Sequence, residues 1–380
     1  MRKLRIGVIG AGRMGRIRAI SAHHHNQCEL VWVVDIQEER AQALAAELSC
    51  RSGNDWQRLI IRSDVDAVVV STPHNLLSLI SAAALRAGKH VFVEKPMARS
   101  VAEAHDILSA LQSAGSSFQD SRHLVVGCTL RHHSHISRAK ELIDAGVIGQ
   151  PYYLRGVYGH GGRPGYDQEW RTDPELGGGG ELLDQGVHLI DLSRWLLGEL
   201  CEVKGTIDSC FWTGSADSDP PVKTSLVCKP GQAEDNAFLI LSTAIGQVAF
   251  LHASWTQWKN AFSLEIYGRD GAIAMTGLGG HYGKEKLILT TRRREGGVPL
   301  VEEIPSSSFA GEQDVWTREW DAFVSVVRPN SGRGLPVTPP ASALDGLQIL
   351  RIVHKVYELE QHRGKTRFEA ATIAANLSPQ

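Results

Sequence analysis

Leu4-Arg5-Ile6-Gly7-Val8-Ile9-Gly10-Ala11-Gly12-Arg13-Met14-Gly15 decides the fold of the first third of the chain. A β-branched run ends at Ile9, three glycines follow in the spacing G-x-G-x-x-G, and a helix is predicted over Met14–Ala22. Each glycine has a mechanical reason. Gly10 permits the tight turn, Gly12 lets backbone approach a pyrophosphate, and Gly15 lets the helix pack on the strand. The helix N-terminus then faces phosphate charge, with Arg13 and Met14 in the same turn. The next predicted strand, Leu30–Asp35, ends on an acid twenty residues after Gly15, where a carboxylate accepts hydrogen bonds from a ribose diol. A 2′-phosphate about 5 Å from that carboxylate would cost on the order of 3 kcal/mol per charge at an effective dielectric near 20. Asp35 therefore favours NAD over NADP, a preference that Arg13 and Arg40 would soften.

Outward from this motif, predicted strands Ala67–Ser71, His90–Glu94 and Leu124–Cys128 alternate with helices Glu38–Leu48, Leu76–Ala87 and Val101–Ala114. That alternation implies an N-terminal α/β Rossmann domain, a doubly wound parallel sheet. Beyond residue 130 the pattern changes. A helix (Ser137–Ala145), a glycine-rich loop and a second helix (Leu182–Leu197) precede adjacent strands at Phe238–Thr243, Gln247–Thr256, Phe262–Tyr267, Ala272–Thr276 and Lys286–Thr290. Helices Trp316–Val327 and Ser342–Gln361 follow, and Asp217–Gly231 reads as a surface loop. The expectation is a C-terminal α+β domain with an open, mostly antiparallel sheet. The domain boundaries expected are 1–130 for dinucleotide binding and 131–380 for substrate binding and oligomerisation.

The chain has 380 residues, 42% hydrophobic and 22% charged, with a formal charge of −2. This is the composition of a soluble globular protein long enough for two cores, with no polyanion-binding surface announced. Nucleic acid is not an expected partner. Six cysteines lie scattered without a C-x-x-C pair, which fits reduced thiols and a cytoplasmic location. Met1-Arg2-Lys3 before an apolar run looks like the start of a signal peptide, but the run enters the glycine motif at once and reads as a first strand. No apolar stretch approaches the length of a membrane helix, so no membrane contact is expected.

At Glu94-Lys95-Pro96 the sequence resembles the glucose-fructose oxidoreductase / inositol dehydrogenase family, Gfo/Idh/MocA. The resemblance runs over most of the chain. It is carried in order by Ser71-Thr72-Pro73, Ala87-Gly88-Lys89-His90 through Pro96, Lys140-Glu141-Leu142-Ile143, Ile148-Gly149-Gln150-Pro151, and Gly178-Gly179-Gly180-Glu181-Leu182-Leu183-Asp184-Gln185-Gly186-Val187-His188-Leu189-Ile190-Asp191. It implies an NAD-dependent dehydrogenase acting on a CH–OH group of a sugar, cyclitol or nucleotide sugar. It also implies that Ser71, Thr72, Pro73, His74, Glu94 and Lys95 line the cofactor. In this reading Lys95 positions or polarises the substrate, His188 accepts the proton, and Asp184 supports both. A partner subunit covering the open sheet, giving a homodimer or homotetramer, is implied as well.

The residues themselves make sense of these roles. Asp184 and His188 are four apart, so on a helix they share one face. Histidine, with an unperturbed pKa near 6.5, suits reversible uptake of an alcohol proton, and a lysine ammonium stabilises developing alkoxide. Asp191 either orients the imidazole or caps local structure. The sequence departs from the family pattern in two places. His74 is followed by Leu77 where a histidine often stands, and His132 and Ser134 near Arg131 replace an aromatic residue and a proline.

Substrate recognition is expected from Arg131 and from the stretch Tyr158 to Arg171, in particular His160, Arg163, Tyr166 and Arg171. Aromatic faces and arginine forks suit carbohydrates and anionic appendages. The histidine runs His23-His24-His25 and His132-His133-x-His135 lack thiolate or carboxylate ligands at recognisable spacing, so no metal is expected. Arg292-Arg293-Arg294 reads as a solvated charge run. Two other readings compete: a non-catalytic NAD-binding regulator, against which the intact Lys95, Asp184 and His188 set argues, and an NAD-dependent glycosidase that oxidises and then re-reduces its sugar.

Overall fold

A computed structural model describes residues 2–113, 122–212, 233–306, 314–329 and 338–376, with side chains as far as residue 361. Two compact units emerge, neither a single run of sequence. The first comprises Met1–Glu141, Glu175–Gly178 and Pro305–Leu350; the second comprises Leu142–Pro174, Gly179–Ile304 and Arg351–Gln380.

The first unit is built on seven strands: β1 (Leu4–Ile9), β2 (Cys28–Val34), β3 (Arg51–Gly53), β4 (Ala67–Val70), β5 (His90–Glu94), β6 (Leu124–Gly127) and the short β15 (Ala341–Ser342). Their spatial order is β15-β6-β5-β4-β1-β2-β3. All pairs are parallel except β15 on β6. A parallel sheet is covered on both faces, which is why Ala67-Val68-Val69-Val70 is apolar at every position and wholly buried. The order reverses at β1, between β2 and β4, and ligands of such sheets bind outside the strand C-termini at that reversal. The glycine motif stands there. The helix Val315–Val327 completes this core. Its Phe323 meets Phe92 of β5 edge-on at 5.6 Å, and Trp320 lies 5.9 Å from the same ring. The helix Val315–Val327 and the strand Ala341–Ser342 thus fold with the nucleotide-binding sheet.

The second unit holds an eight-stranded sheet. Its strands are β7 (Pro151–Gly159), β8 (Leu200–Asp208), β9 (Asn236–Thr243), β10 (Val248–Ser254), β11 (Ala261–Gly268), β12 (Gly271–Thr276), β13 (Lys286–Thr291) and β14 (Leu300–Ile304), ordered β14-β13-β12-β11-β7-β10-β9-β8. Only β7 with β10 is parallel. The sequence pattern does not flag β7, because Pro151, Gly156 and Gly159 look like turn residues. Gly156 is there for room: a Cβ would lie 2.9 Å from Leu264, 3.1 Å from Leu251 and 3.2 Å from Leu189 of the overlying helix. On the other face Phe250 pairs with Ile240, and Phe238, two residues before Ile240 on β9, pairs with His252; Phe238, Ile240 and Phe250 are all exposed. Residues 217–231, expected to form a loop, lie outside the described residues. Among the described residues no helix is long and apolar enough to cross a membrane.

Candidate active site

In the first unit the glycine loop has the geometry a dinucleotide needs. Gly10 has φ +97°, and a Cβ there would strike Ser71 O at 2.6 Å. A Cβ on Gly15 would sit 1.7 Å from Gly10 O, whereas around Gly12 the space is open. The helix Arg13–His24 starts at Gly12 without a side-chain cap, so its leading N–H groups are directed at that space. Ser71 Oγ donates to Ile9 O and Gly10 O at 3.1 and 3.0 Å and holds the turn from the β4 side. Asp35 acts on the loop as well. Its Oδ2 accepts from Ala11 N at 2.7 Å and its Oδ1 from Gln37 N at 2.8 Å, leaving lone pairs for a ribose diol. These residues fit a bound dinucleotide.

Around this loop, Thr72 and Pro73 are half-buried, Pro73 leading into the helix His74–Arg86. His74 is buried with Nδ1 2.8 Å from Gly177 O. Lys95 is half-buried at the C-terminal end of β5, and the Lys95–Pro96 peptide is cis. Glu94, expected at the cofactor, sends its carboxylate inward to Arg18. That arginine is wholly buried; its Nη1 donates to Glu319 Oε2 at 2.6 Å and its Nη2 to Thr129 Oγ1 at 3.3 Å, while its guanidinium lies 4.4 Å from the Phe92 ring centre. Arg131, expected at the substrate, is also buried, and its guanidinium is 3.5 Å from Asp345. Nearby His132 is pushed down to about 3 by burial and then by Arg131, and so stays neutral.

In the second unit the expected helix is in two parts, a π-helical turn over Leu182–Gly186 and an α-helix over Val187–Leu197. Such turns interrupt helices frequently at functional sites. Asp184 sits in the π turn and His188 one turn on, 7% and 8% exposed. In the wider turn a step of four falls just short of a full revolution instead of just past it, so both still border Tyr158. The Tyr158 ring is 5.8 Å from that of His188, and Asp184 is among the groups that, after burial, raise the Tyr158 phenol well above its usual range. Tyr282 is hydrogen-bonded to both Tyr158 and Gln185. Both phenols therefore stay protonated and act as neutral donors.

The turn is held from behind by Glu234, fully buried, which accepts from Gly180 N at 3.0 Å, Leu182 N at 2.9 Å and Tyr357 OH at 2.9 Å. Gly180 is required by this contact, since a Cβ would lie 2.0 Å from Glu234 O. Burial pushes the Glu234 carboxyl up to about 7 against those hydrogen bonds.

Of the expected substrate contacts, Arg171 reaches this site directly, its Nε 3.4 Å from Asp184 Oδ2 and its Nη1 3.3 Å from Glu169. Arg163 is exposed, paired with the same Glu169, and 5.6 Å from the Tyr166 ring centre. Tyr166 is a core aromatic: 3% exposed, it packs edge-on against Trp255 at 5.1 Å, and burial raises its phenol. His160 stands 5.5 Å from Tyr166 and takes Gly162 N on Nδ1 at 2.9 Å, an arrangement that shapes the loop.

Residues 4–120 match an oxidoreductase family with an NAD-binding Rossmann fold, and residues 136–274 match the GFO/IDH/MocA C-terminal domain. The chain belongs to the GFO/IDH/MocA oxidoreductase family. Levoglucosan dehydrogenase of Pseudarthrobacter phenanthrenivorans is 28% identical over 294 residues, covering 72% of this chain and 73% of that enzyme. Myo-inositol 2-dehydrogenase of Thermotoga maritima is 27% identical over 301 residues, 79% of each chain. The same fold is seen in a levoglucosan dehydrogenase complexed with NADH and levoglucosan (TM-score 0.77, 22% identity, 95% of this chain and 98% of that one).

Within this family member, several working residues escape sequence reading. Arg18, Glu319, Glu234, Tyr282 and Gln185 gain meaning only from partners far away in the chain. Glu234 carries a faint signal, as an acid just before an apolar strand. Tyr282 is flanked by Gly279, Gly280 and Gly283, a spacing that marks a turn but not what the turn presents.

Proposed function

We propose that this protein is an NAD-dependent dehydrogenase that moves hydride between nicotinamide and a secondary alcohol carbon of a sugar or cyclitol. The single observation that carries the reading is the set of groups around Tyr158: Asp184 and His188 buried on consecutive turns, with neutral phenol donors beside them and Arg171 at the carboxylate. A polyol offers several hydroxyls to such a mixed set of donors and acceptors. Names of relatives that act on levoglucosan and inositol support the same substrate class.

When bound, the nicotinamide supplies the hydride acceptor. His188 takes the hydroxyl proton, Lys95 steadies the oxygen as negative charge develops, and Asp184 orients the imidazole and holds a neighbouring hydroxyl. Asp35 favours NAD over NADP by the charge argument above. The protein works in the cytoplasm as a homodimer or homotetramer, the first supported by thiols spread singly along the chain. The second is supported by exposed Phe238, Ile240 and Phe250, neighbouring large apolar side chains of the kind a partner subunit covers.

The test is a screen of the purified protein with NAD against inositols, anhydrosugars, free sugars and nucleotide sugars, following NADH absorbance and product chemistry. Accumulating NADH with an oxidised polyol is the expected result. Sugar cleavage without net NADH would convert the reading to a glycosidase, and inertness toward the whole panel would favour a regulator.

A further inference from the structure

Asp184 and His188 stand just beyond a helix start, where the leading N–H groups have no acceptor within the helix itself. One residue, 52 to 54 positions further along the chain, takes three of those groups in succession. Gly180 N donates to Glu234 Oε2 at 3.0 Å, Glu181 N to the Glu234 carbonyl at 2.8 Å, and Leu182 N to Glu234 Oε1 at 2.9 Å. Asp184 N then closes the first turn on Gly180 O at 2.9 Å.

Glu234 is fixed in turn by the sheet. Its neighbour Asp235 donates from N to Asp208 O at the end of β8 at 3.0 Å, and accepts on O from Trp255 N, just past β10, at 2.8 Å. On the far side the carboxylate is held by Tyr357, which lies on the helix Ala343–Asn376. The Tyr357 hydroxyl donates to Glu234 Oε1 at 2.9 Å, the same oxygen that accepts from Leu182 N. The glycine run leaves room for that hydroxyl: a Cβ on Gly179 would lie 2.2 Å from Tyr357 Oη and 3.1 Å from Leu183 Cβ.

We propose that Glu234 and Tyr357 are positioning residues for the reaction, holding Asp184 and His188 in place through the turn that carries them. Neither has to touch substrate. A π-helical turn is rare beside the α-helical course open to the same residues, so an outside grip on its first N–H groups decides which course the chain keeps. Displacing a reacting group by about 1 Å can cost on the order of a hundredfold in rate, so the grip bears on turnover. The inference rests on the roles given to Asp184 and His188 above.

Two measurements on the full-length protein test it: hydrogen exchange of the NADH-saturated protein, read peptide by peptide, and steady-state kinetics on a substrate from the screen. Tyr357→Phe removes one oxygen and keeps the ring. Amides of residues 180–188 should then exchange on the order of tenfold faster, while the strands of both sheets keep their rates. Glu234→Gln leaves one acceptor oxygen for three donors and should go further in the same residues. In both variants kcat should fall while the KM for NAD stays within a few-fold, since the glycine loop is untouched. Tyr357→Phe keeps the test alive if Glu234→Gln fails to fold. Unchanged exchange at 180–188 in Tyr357→Phe, or acceleration spread evenly over the chain, overturns the proposal. Local acceleration with undiminished kcat overturns it as well; if His188→Ala also keeps its kcat, the fault lies in the roles given to Asp184 and His188, and if His188→Ala is inactive, it lies in the positioning.

Discussion

Arg18 Nε donates to Glu94 Oε1 at 2.7 Å, and Glu94 is the residue before Lys95. The helix that starts at the glycine loop is thereby tied to the strand end that carries the lysine. Arg18→Met would leave the Glu94 and Glu319 carboxylates buried without their cation, a loss typically of about 3–5 kcal/mol. Urea unfolding of the variant should show a destabilisation of that order. A loss below about 1 kcal/mol would mean that water or a neighbouring group takes over the charge.

Asp35 serves two ends, and substitutions separate them. Asp35→Asn keeps one acceptor oxygen for Ala11 N or Gln37 N, so the loop should loosen less than in Asp35→Ala while the charge disappears. NADP(H) should then approach NAD(H) in affinity, whereas Asp35→Ala should weaken both coenzymes by also loosening the loop. Fluorescence titration of each coenzyme into each protein checks this. Tighter NADP(H) binding by the unaltered protein would contradict the charge argument.

In the proposed mechanism, hydride transfer and coenzyme binding rest on different residues. His188→Ala and Lys95→Ala should each reduce turnover by about a hundred- to ten-thousand-fold while NADH affinity stays within a few-fold. Steady-state kinetics on a substrate from the screen, beside NADH titration, gives both numbers. Near-normal turnover in His188→Ala would pass the proton to another group, and lost NADH binding would make His188 structural.

The buried Glu234 carboxyl gives stability a pH dependence. Its pKa rises from 4.5 to about 7 on folding, so the folded state holds the proton more tightly than the unfolded state. The contribution is full below about pH 4.5 and is lost as pH rises through about 7, with a slope of at most about 1.4 kcal/mol per pH unit. In Glu234→Gln that slope should flatten. Denaturant melts across this window read it, and identical slopes in the two proteins would remove Glu234 as the source.

Light scattering at micromolar concentration should report a dimer or tetramer. Phe250→Lys places a charge beside exposed Ile240 and Phe238 and should shift the protein toward monomer. A monomeric unaltered protein would leave these side chains without their proposed partner.

Local chemistry explains what sequence could and could not disclose. The glycine loop, Asp35 and the valine-rich strands obey rules that act within a few residues, so they are readable directly. Strand β7 is not, because its glycines answer to Leu251, Leu264 and Leu189, which arrive from elsewhere. The four-residue spacing of Asp184 and His188 correctly suggests a shared face, yet the π turn beneath it depends on Glu234, fifty residues further on. Tyr166 and Arg131 look like ligand contacts by residue type. Burial, which no residue type fixes, places Tyr166 in the core and joins Arg131 to Asp345.

The helix Val315–Val327 covers Phe92 and delivers Glu319 to Arg18, which sets a timetable for the chain as it leaves the ribosome. At synthesis rates of about 5–20 residues per second, roughly 10–40 seconds separate the emergence of the first 141 residues from that of this helix. During the interval Arg18 lacks one of its two carboxylates and the Phe92 side of the sheet is bare. The nascent nucleotide-binding half then presents an apolar surface open to chaperones. A fragment ending at residue 141 should accordingly bind a hydrophobic dye and unfold without a sharp transition, and a separate peptide covering 305–350 should restore the transition if the two are mixed.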